Sequence, residues 1–151
     1  MRAAVVVYTY VYGTVLYNGC MDKGKELTIS TKQNRQVVDI TGEVQAAIGG
    51  GNPAGACVVF VAHTTCAVTT ADLDPGADQD LLDAVWGMIP RRKYRHPHDP
   101  KHVPAHLASS VIGPSVTVPV ASGKLVLGTW QRIVLVELDG PRERRVVVTV
   151  L

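Results

Sequence analysis

Residues 56–70 form one unbroken apolar and β-branched run, Ala-Cys-Val-Val-Phe-Val-Ala-His-Thr-Thr-Cys-Ala-Val-Thr-Thr. At fifteen residues it is far longer than the ordinary strand of about 5–6 residues, so it must bend or divide. Its polar centre, His63, Thr64 and Thr65, is the natural place for the break. A break there aims an imidazole and two hydroxyls at a common point. Valine is abundant and phenylalanine occurs once, which favours β structure in the rest of the chain too.

A second segment, 94–115, concentrates the remaining chemistry. Four of the five histidines lie in it, His96, His98, His102 and His106, interleaved with Pro97, Pro100 and Pro104. So many prolines exclude regular helix and central strand from its first half. Residues 105–112 can form a short helix that Gly113-Pro114 stops. A loop of fixed geometry carrying neutral nitrogen donors can hold a metal or relay protons. The plainer alternative is a set of solvated loop histidines. What favours a site is the second source of imidazole, His63, on a strand that reads as buried.

In chain order, residues 5–12 alternate β-branched and aromatic side chains and read as a strand. Residues 26–31 and 36–40 read as a strand pair around a turn at 32–35. Thr41 is a good helix cap, Val44, Ala47 and Ile48 share one helical face, and Gly49-Gly50-Gly51 stops the helix. Asp74-Pro75 marks the next helix, as cap and first residue, with Leu81, Leu82, Val85, Trp86 and Ile89 at helical spacing until Pro90. After the histidines come strands at 115–120 and 124–127 around Ala121-Ser122-Gly123, then 132–138 and 145–151 around Asp139-Gly140-Pro141. Four strands joined by short turns predict an antiparallel meander. The fold class is α+β: one domain with an antiparallel sheet or sandwich and about three helices.

At 151 residues, with 46% apolar and 19% charged residues, the chain can bury a real core. The net charge of +2 is too small to imply nucleic acid or an anionic membrane. The basic run Arg91-Arg92-Lys93-Tyr94-Arg95 could neutralise only a few phosphates, so it reads as a solvated loop. Residues 3–16 are interrupted by Tyr8, Thr9, Tyr10, Tyr12 and Gly13, unlike a signal peptide or membrane span. Cys20, Cys57 and Cys66 are odd in number and unclustered, which points to a reducing cytoplasm and to buried filler.

The order of the motifs resembles the YjbQ family, also called the secondary thiamine-phosphate synthase family. The resemblance rests on Ala62-His63-Thr64-Thr65, Tyr94-Arg95-His96, Ala105-His106 through Gly113-Pro114-Ser115 to Val120, Leu127-Gly128-Thr129-Trp130-Gln131, and Glu137-Leu138-Asp139-Gly140-Pro141-Arg142. With Val38 to Thr41 and Asp80-Leu81-Leu82, these blocks run over roughly residues 24–151. The chain departs from the pattern in two places. His102-Val103-Pro104-Ala105-His106 lacks an aspartate before the histidine, and the nearest acid after the threonine-rich strand is Asp72. Residues 1–20 have no counterpart; an extra strand is expected there, added to the sheet or to a neighbouring subunit.

The resemblance implies a β-rich sandwich, a homotrimer, and a cleft where His63, His96 and His106 cluster. Three neutral imidazoles with an open fourth position suit a divalent metal, zinc first, with His98 and His102 as substitutes or supports. The competing reading is hydrogen bonding between helix and strand without metal. Thr64, Thr65, Ser110 and Ser115 offer hydroxyls to a phosphate, helped by Arg142 or the basic run, while Trp130 and Gln131 offer core or interface packing or a wall for a flat ring. A serine–histidine hydrolase is disfavoured, since no Gly-x-Ser-x-Gly elbow exists. The implied reaction joins a pyrimidine diphosphate to a thiazole phosphate, giving thiamine phosphate and pyrophosphate. No aspartate-rich magnesium platform accompanies it, so this activity on phosphorylated heterocycles is expected to be weak; a small phosphorylated metabolite is the expected partner, and the sequence does not name the native substrate. The alternative is a non-enzymatic trimer binding a metal or a small anion.

Overall fold

The computed structural model describes residues 24–50, 53–96 and 99–151, and the backbone of 6–10 and 13–17. The chain runs β1 (Val6–Tyr10), β2 (Gly13–Tyr17), β3 (Lys25–Ser30), β4 (Gln36–Asp39), α1 (Thr41–Ile48), β5 (Gly55–Val61) and β6 (Cys66–Ala71). It continues with α2 (Ala77–Met88), a 3₁₀ turn (Pro100–His102), α3 (Val103–Ile112), β7 (Ser115–Ala121), β8 (Lys124–Leu125), β9 (Arg132–Glu137) and β10 (Glu143–Val150). The body is α+β and single-domain. One antiparallel sheet has the order β3-β10-β5-β7-β8, a second β4-β9-β6, while β1 and β2 pair with each other. No helix among the described residues is long and apolar enough to cross a membrane.

Strand β9 explains the layering. Its Ile133-Val134-Leu135-Val136 is buried on both faces, as a strand covered on two sides must be. Ile133 and Leu135 join Val59, Val61, Val146 and Val148 between the two sheets. Val134 and Val136 face the other way, onto Leu82 and Val85 of α2 and Ala105 and Ala108 of α3. Each of these valine, leucine and isoleucine side chains contributes about 1.5–3 kcal/mol on burial. Helix α1 adds Val44, Ala47 and Ile48 to the inter-sheet core. Cys57 and Cys66 are buried free thiols, and burial pushes the Cys66 thiol up to about 12, which makes it an inert filler. Cys20 lies outside the described residues.

Several expectations are corrected. Strands β3 and β4 are not partners: β3 pairs with β10 and β4 with β9. The last four strands are not a meander either, because only β7 and β8 pair, and β9 and β10 sit in different sheets. The 124–127 strand shortens to Lys124–Leu125. The 5–12 strand is divided, with Val6–Tyr10 pairing antiparallel to Gly13–Tyr17. Helix α2 starts two residues late, because Asp74 O accepts from the Ala77 amide in a turn and Gly76, at φ 94°, precedes the helix. Thr41 does not cap α1 but bonds β9, its hydroxyl accepting from the Ile133 amide at 2.9 Å. Helix α3 begins at Val103, with Pro104 in its first turn, where a missing amide costs nothing. The long run 56–70 divides as expected, with β5 and β6 on either side of residues 62–65.

The corrections to strand pairing share one cause. The segments 31–35, 62–65 and 138–142 are crossovers between the sheets, and all three lie at one end of the sandwich. Ser30 sits opposite Glu143 and Val61 opposite Val146, while Gln36 and Cys66 both sit opposite Glu137. The crossovers are stitched together: Gly140 N–H donates to Asn34 O at 2.9 Å, Thr31 N–H to Arg142 O at 2.9 Å and Leu138 N–H to Thr65 O at 3.3 Å.

Candidate functional site

The site is built where the three crossovers meet. Beneath them lies a buried ion pair, Glu137 with Arg144, 0% and 3% exposed at the side chain. Glu137 Oε2 accepts from Thr31 Oγ1 at 2.9 Å and from Arg144 Nε at 2.7 Å. Its Oε1 accepts from the Leu138 and Asp139 amides, both at 2.9 Å, and from Arg144 Nη2. Arg144 Nη2 also donates to Thr65 Oγ1 at 3.1 Å and to Thr65 O at 3.3 Å. The ion pair thereby ties all three crossovers together, Glu137 holding two and Arg144 the third. Burial alone would push Glu137 up, but the bonds from Arg144, the Asp139 amide and Thr31 prevail and hold it below the usual value. Every described buried side-chain polar atom has a partner.

Above this base lie the imidazoles. His63 Nε2 accepts from the Arg145 amide at 2.8 Å, which places the ring proton on Nδ1. Burial, then the Arg144 and Arg145 charges, lower its pKa below 6.5. His106 Nδ1 donates to Thr64 O at 3.1 Å, which leaves Nε2 outside that bond. His96 stacks on His106, with ring centroids 5.8 Å apart and planes 11° apart. His102 bridges two carboxylates, Nε2 to Asp99 at 3.0 Å and Nδ1 to Asp139 at 2.9 Å. Arg142 lies beside it, bonded to Asp139 through Nη2 to Oδ2 at 2.8 Å and Nε to the backbone oxygen at 2.7 Å.

His63, Thr64, Thr65, His102, His106 and Arg142 line one open cleft of about 710 Å³, closed below by Arg144 and at one side by Asp139 and Glu143. A second depression of about 510 Å³ shares His63, Thr64 and His106 and extends past Phe60, Ser109 and Ser110 to Pro114. Thr65 is turned inward to Arg144, so Thr64 is the exposed hydroxyl. Ser110 Oγ donates to His106 O at 2.9 Å and Ser109 Oγ to Cys66 O at 2.8 Å. Neither serine is activated by an imidazole, which removes the hydrolase reading. Ser115 opens β7 opposite Phe60 and lines neither depression.

Trp130 and Gln131 are not brought to the cleft. They lie in the turn before Arg132, where β9 starts, whereas the cleft is at its Glu137 end. Five residue steps at about 3.3 Å separate those ends by roughly 17 Å. The three imidazoles expected to hold zinc do not fit one in this arrangement. Two rings stack in near-parallel planes, and His63 Nε2 is taken by an amide. Among the described residues, no three His, Cys, Asp or Glu side chains are grouped to hold a metal ion. His98 lies outside the described residues.

This arrangement has relatives. The family described as UPF0047 protein YjbQ-like matches residues 25–151. The chain belongs to the YjbQ-like family. A UPF0047 protein of Archaeoglobus fulgidus is 40% identical over 127 residues, 83% of this chain and 99% of its own length. UPF0047 protein YugU of Bacillus subtilis is 37% identical over 80% of this chain and 92% of its own. Among solved structures, a Sulfolobus solfataricus protein superposes with a TM-score of 0.76 at 38% identity, covering 82% of this chain and 92% of that one. The match leaves residues 1–24 of this YjbQ-like chain outside the family region. The sequence had singled out His63, Thr64, His106 and Arg142, all in the cleft. It did not single out Glu137 and Arg144 as a site, because a charge inside an alternating strand reads as a solvated residue. The signal available was Glu137 directly after the apolar run Ile133–Val136.

Proposed function

We propose that the cleft between the crossovers binds the phosphate of a small phosphorylated metabolite. One observation carries this reading: His63, His106 and Arg142 share a cleft with the exposed Thr64 hydroxyl, and the bonds that His63 and His106 already make leave one nitrogen of each ring for a ligand. His63 Nδ1–H donates as a neutral ring. His106 keeps Nε2 for the ligand, since its Nδ1 is taken by Thr64 O. Arg142 keeps guanidinium donors beyond those given to Asp139, and charge-assisted bonds of this kind are the strong ones. Asp139 and Glu143 supply acceptors for hydroxyl groups of the same ligand.

Binding dominates over chemistry in this reading, since the described residues hold no activated serine or thiolate and the zinc set does not fit. The condensation suggested by the thiamine-phosphate resemblance enters as a minor activity. In it, the cleft stabilises the departing pyrophosphate and holds the two substrates in line. A homotrimer belongs to the same proposal, because Val58, Phe60 and Val147 are neighbours on one face of the five-stranded sheet and Phe60 is 43% exposed there.

The test is a coupled pyrophosphate-release assay on the wild type, His63→Ala and His106→Ala. The expected outcome is slow release by the wild type and at least a tenfold loss in both variants. Equal rates in all three would remove the transfer activity and leave the binding role to be judged by titration.

A further inference from the structure

Around Trp86 the chain gathers charges that the cleft does not use. Arg35, from the crossover after β3, places its guanidinium 4.5 Å from the centre of the Trp86 ring. Arg91 and Arg92 follow α2, and Arg92 lies 5.5 Å from the centre of the Tyr94 ring. The Tyr94 hydroxyl donates to Pro90 O, which folds this loop back toward the helix end. Two cavities meet here, of about 590 and 250 Å³, and both are lined by Trp86, Ile89, Pro90 and Arg91. The larger adds Arg35 and Asp83; the smaller adds Arg92, Tyr94, Pro100 and Pro104. Neither shares a lining residue with the histidine cleft. Among the described residues, no ion pair joins Arg35, Arg91 or Arg92 to a carboxylate.

We infer that this surface is a second binding site, for a nucleoside monophosphate. Two unpaired guanidiniums in the larger cavity, Arg35 and Arg91, suit a phosphate dianion, which arginine recognises through paired N–H donors. Asp83 in the same cavity would repel a bare phosphate. A carboxylate there suits a ligand carrying hydroxyls beside its phosphate, as a ribose does, because it accepts from each of them. The smaller cavity is walled by proline and aromatic rings with Arg92 above, a setting for a flat base to stack. Inorganic phosphate would leave this half empty. A long nucleic acid would need a continuous basic track, whereas the charge here ends within one short loop.

Trp86 reports on the site directly. Trp86 and Trp130 are the two tryptophans, so Trp130→Phe leaves Trp86 as the sole tryptophan emitter, and Trp130 lines neither cavity. Titration of that variant with adenosine monophosphate should quench the emission saturably. Adding Arg91→Gln should raise the half-saturation concentration about tenfold, the loss expected for one charge-assisted contact of about 1.5 kcal/mol. Calorimetry of Arg35→Gln, whose own stacking perturbs the indole, should give a similar loss. Adding His63→Ala should leave the quenching midpoint unchanged, which separates this site from the cleft. The inference is overturned by an absence of saturable quenching, or by a midpoint unmoved in Arg91→Gln. It is equally overturned if single-stranded RNA quenches with a steep salt dependence while the mononucleotide does not.

Discussion

His63 is held by accepting a backbone amide, and that fixes its chemistry. A proton on Nε2 would face the Arg145 N–H, so acid breaks the contact as well as charging the ring. Nuclear magnetic resonance should therefore find His63 as the Nδ1–H tautomer, titrating below the ordinary 6.5; titration at or above that value contradicts the assignment. The linked stability follows in sign. A histidine depressed on folding takes up its proton more readily unfolded, so its cost sets in as pH falls below about 6.5 and levels off below the folded value. Glu137, also depressed on folding, contributes stability above its ordinary 4.5 that is lost as pH falls through its folded value. Both make the protein weaker in acid. Glu137→Gln leaves Arg144 buried and uncompensated, and should cost about 3–5 kcal/mol in denaturant unfolding. A loss under 1 kcal/mol would deny the ion pair its role beneath the cleft.

Among the elements, α3 carries the clearest structural demand. It ends at Gly113, with φ 108° and ψ 155°, a region open only to glycine. The Gly113 amide closes on Ser109 O at 2.8 Å, and its carbonyl accepts from the Val68 amide at 3.2 Å, pinning the helix to β6 and so His106 to its place. Gly113→Ala meets no atom within 4 Å, so its cost is backbone strain alone, about 1–3 kcal/mol. Chemical denaturation checks this, and an unchanged midpoint would contradict it. The elements also separate what the sequence reveals from what it hides. The division of 56–70 was legible because three polar residues interrupt a run too long for one strand. The helix faces of α1 and α2 were legible from their spacing. Strand partners were not. A short polar turn such as 32–35 or 139–141 serves a hairpin or a crossover equally well, and the choice is made by which sheet each strand's buried face completes. The cleft was therefore half legible: its histidines stand out in sequence, but the crossovers that bring them to Arg142 do not.

At the scale of the whole molecule, one face of the five-stranded sheet carries Val58, Phe60 and Val147 side by side. Phe60, 43% exposed, stands on it beside Val147 and borders the second depression next to His106. Closed association of identical chains covers such a face, and light scattering at micromolar concentration should give about three times 16.2 kDa. A mass of one chain would refute the trimer without touching the cleft. The central claim, that the crossover cleft holds phosphate, is tested most directly by titration calorimetry with inorganic pyrophosphate. A chain carrying Arg35→Gln and Arg91→Gln, with the Trp86 site disabled, should still bind it. Adding His106→Ala or Arg142→Gln should weaken that binding at least tenfold. Failure to bind pyrophosphate, or affinity unchanged by either cleft substitution, would contradict the account.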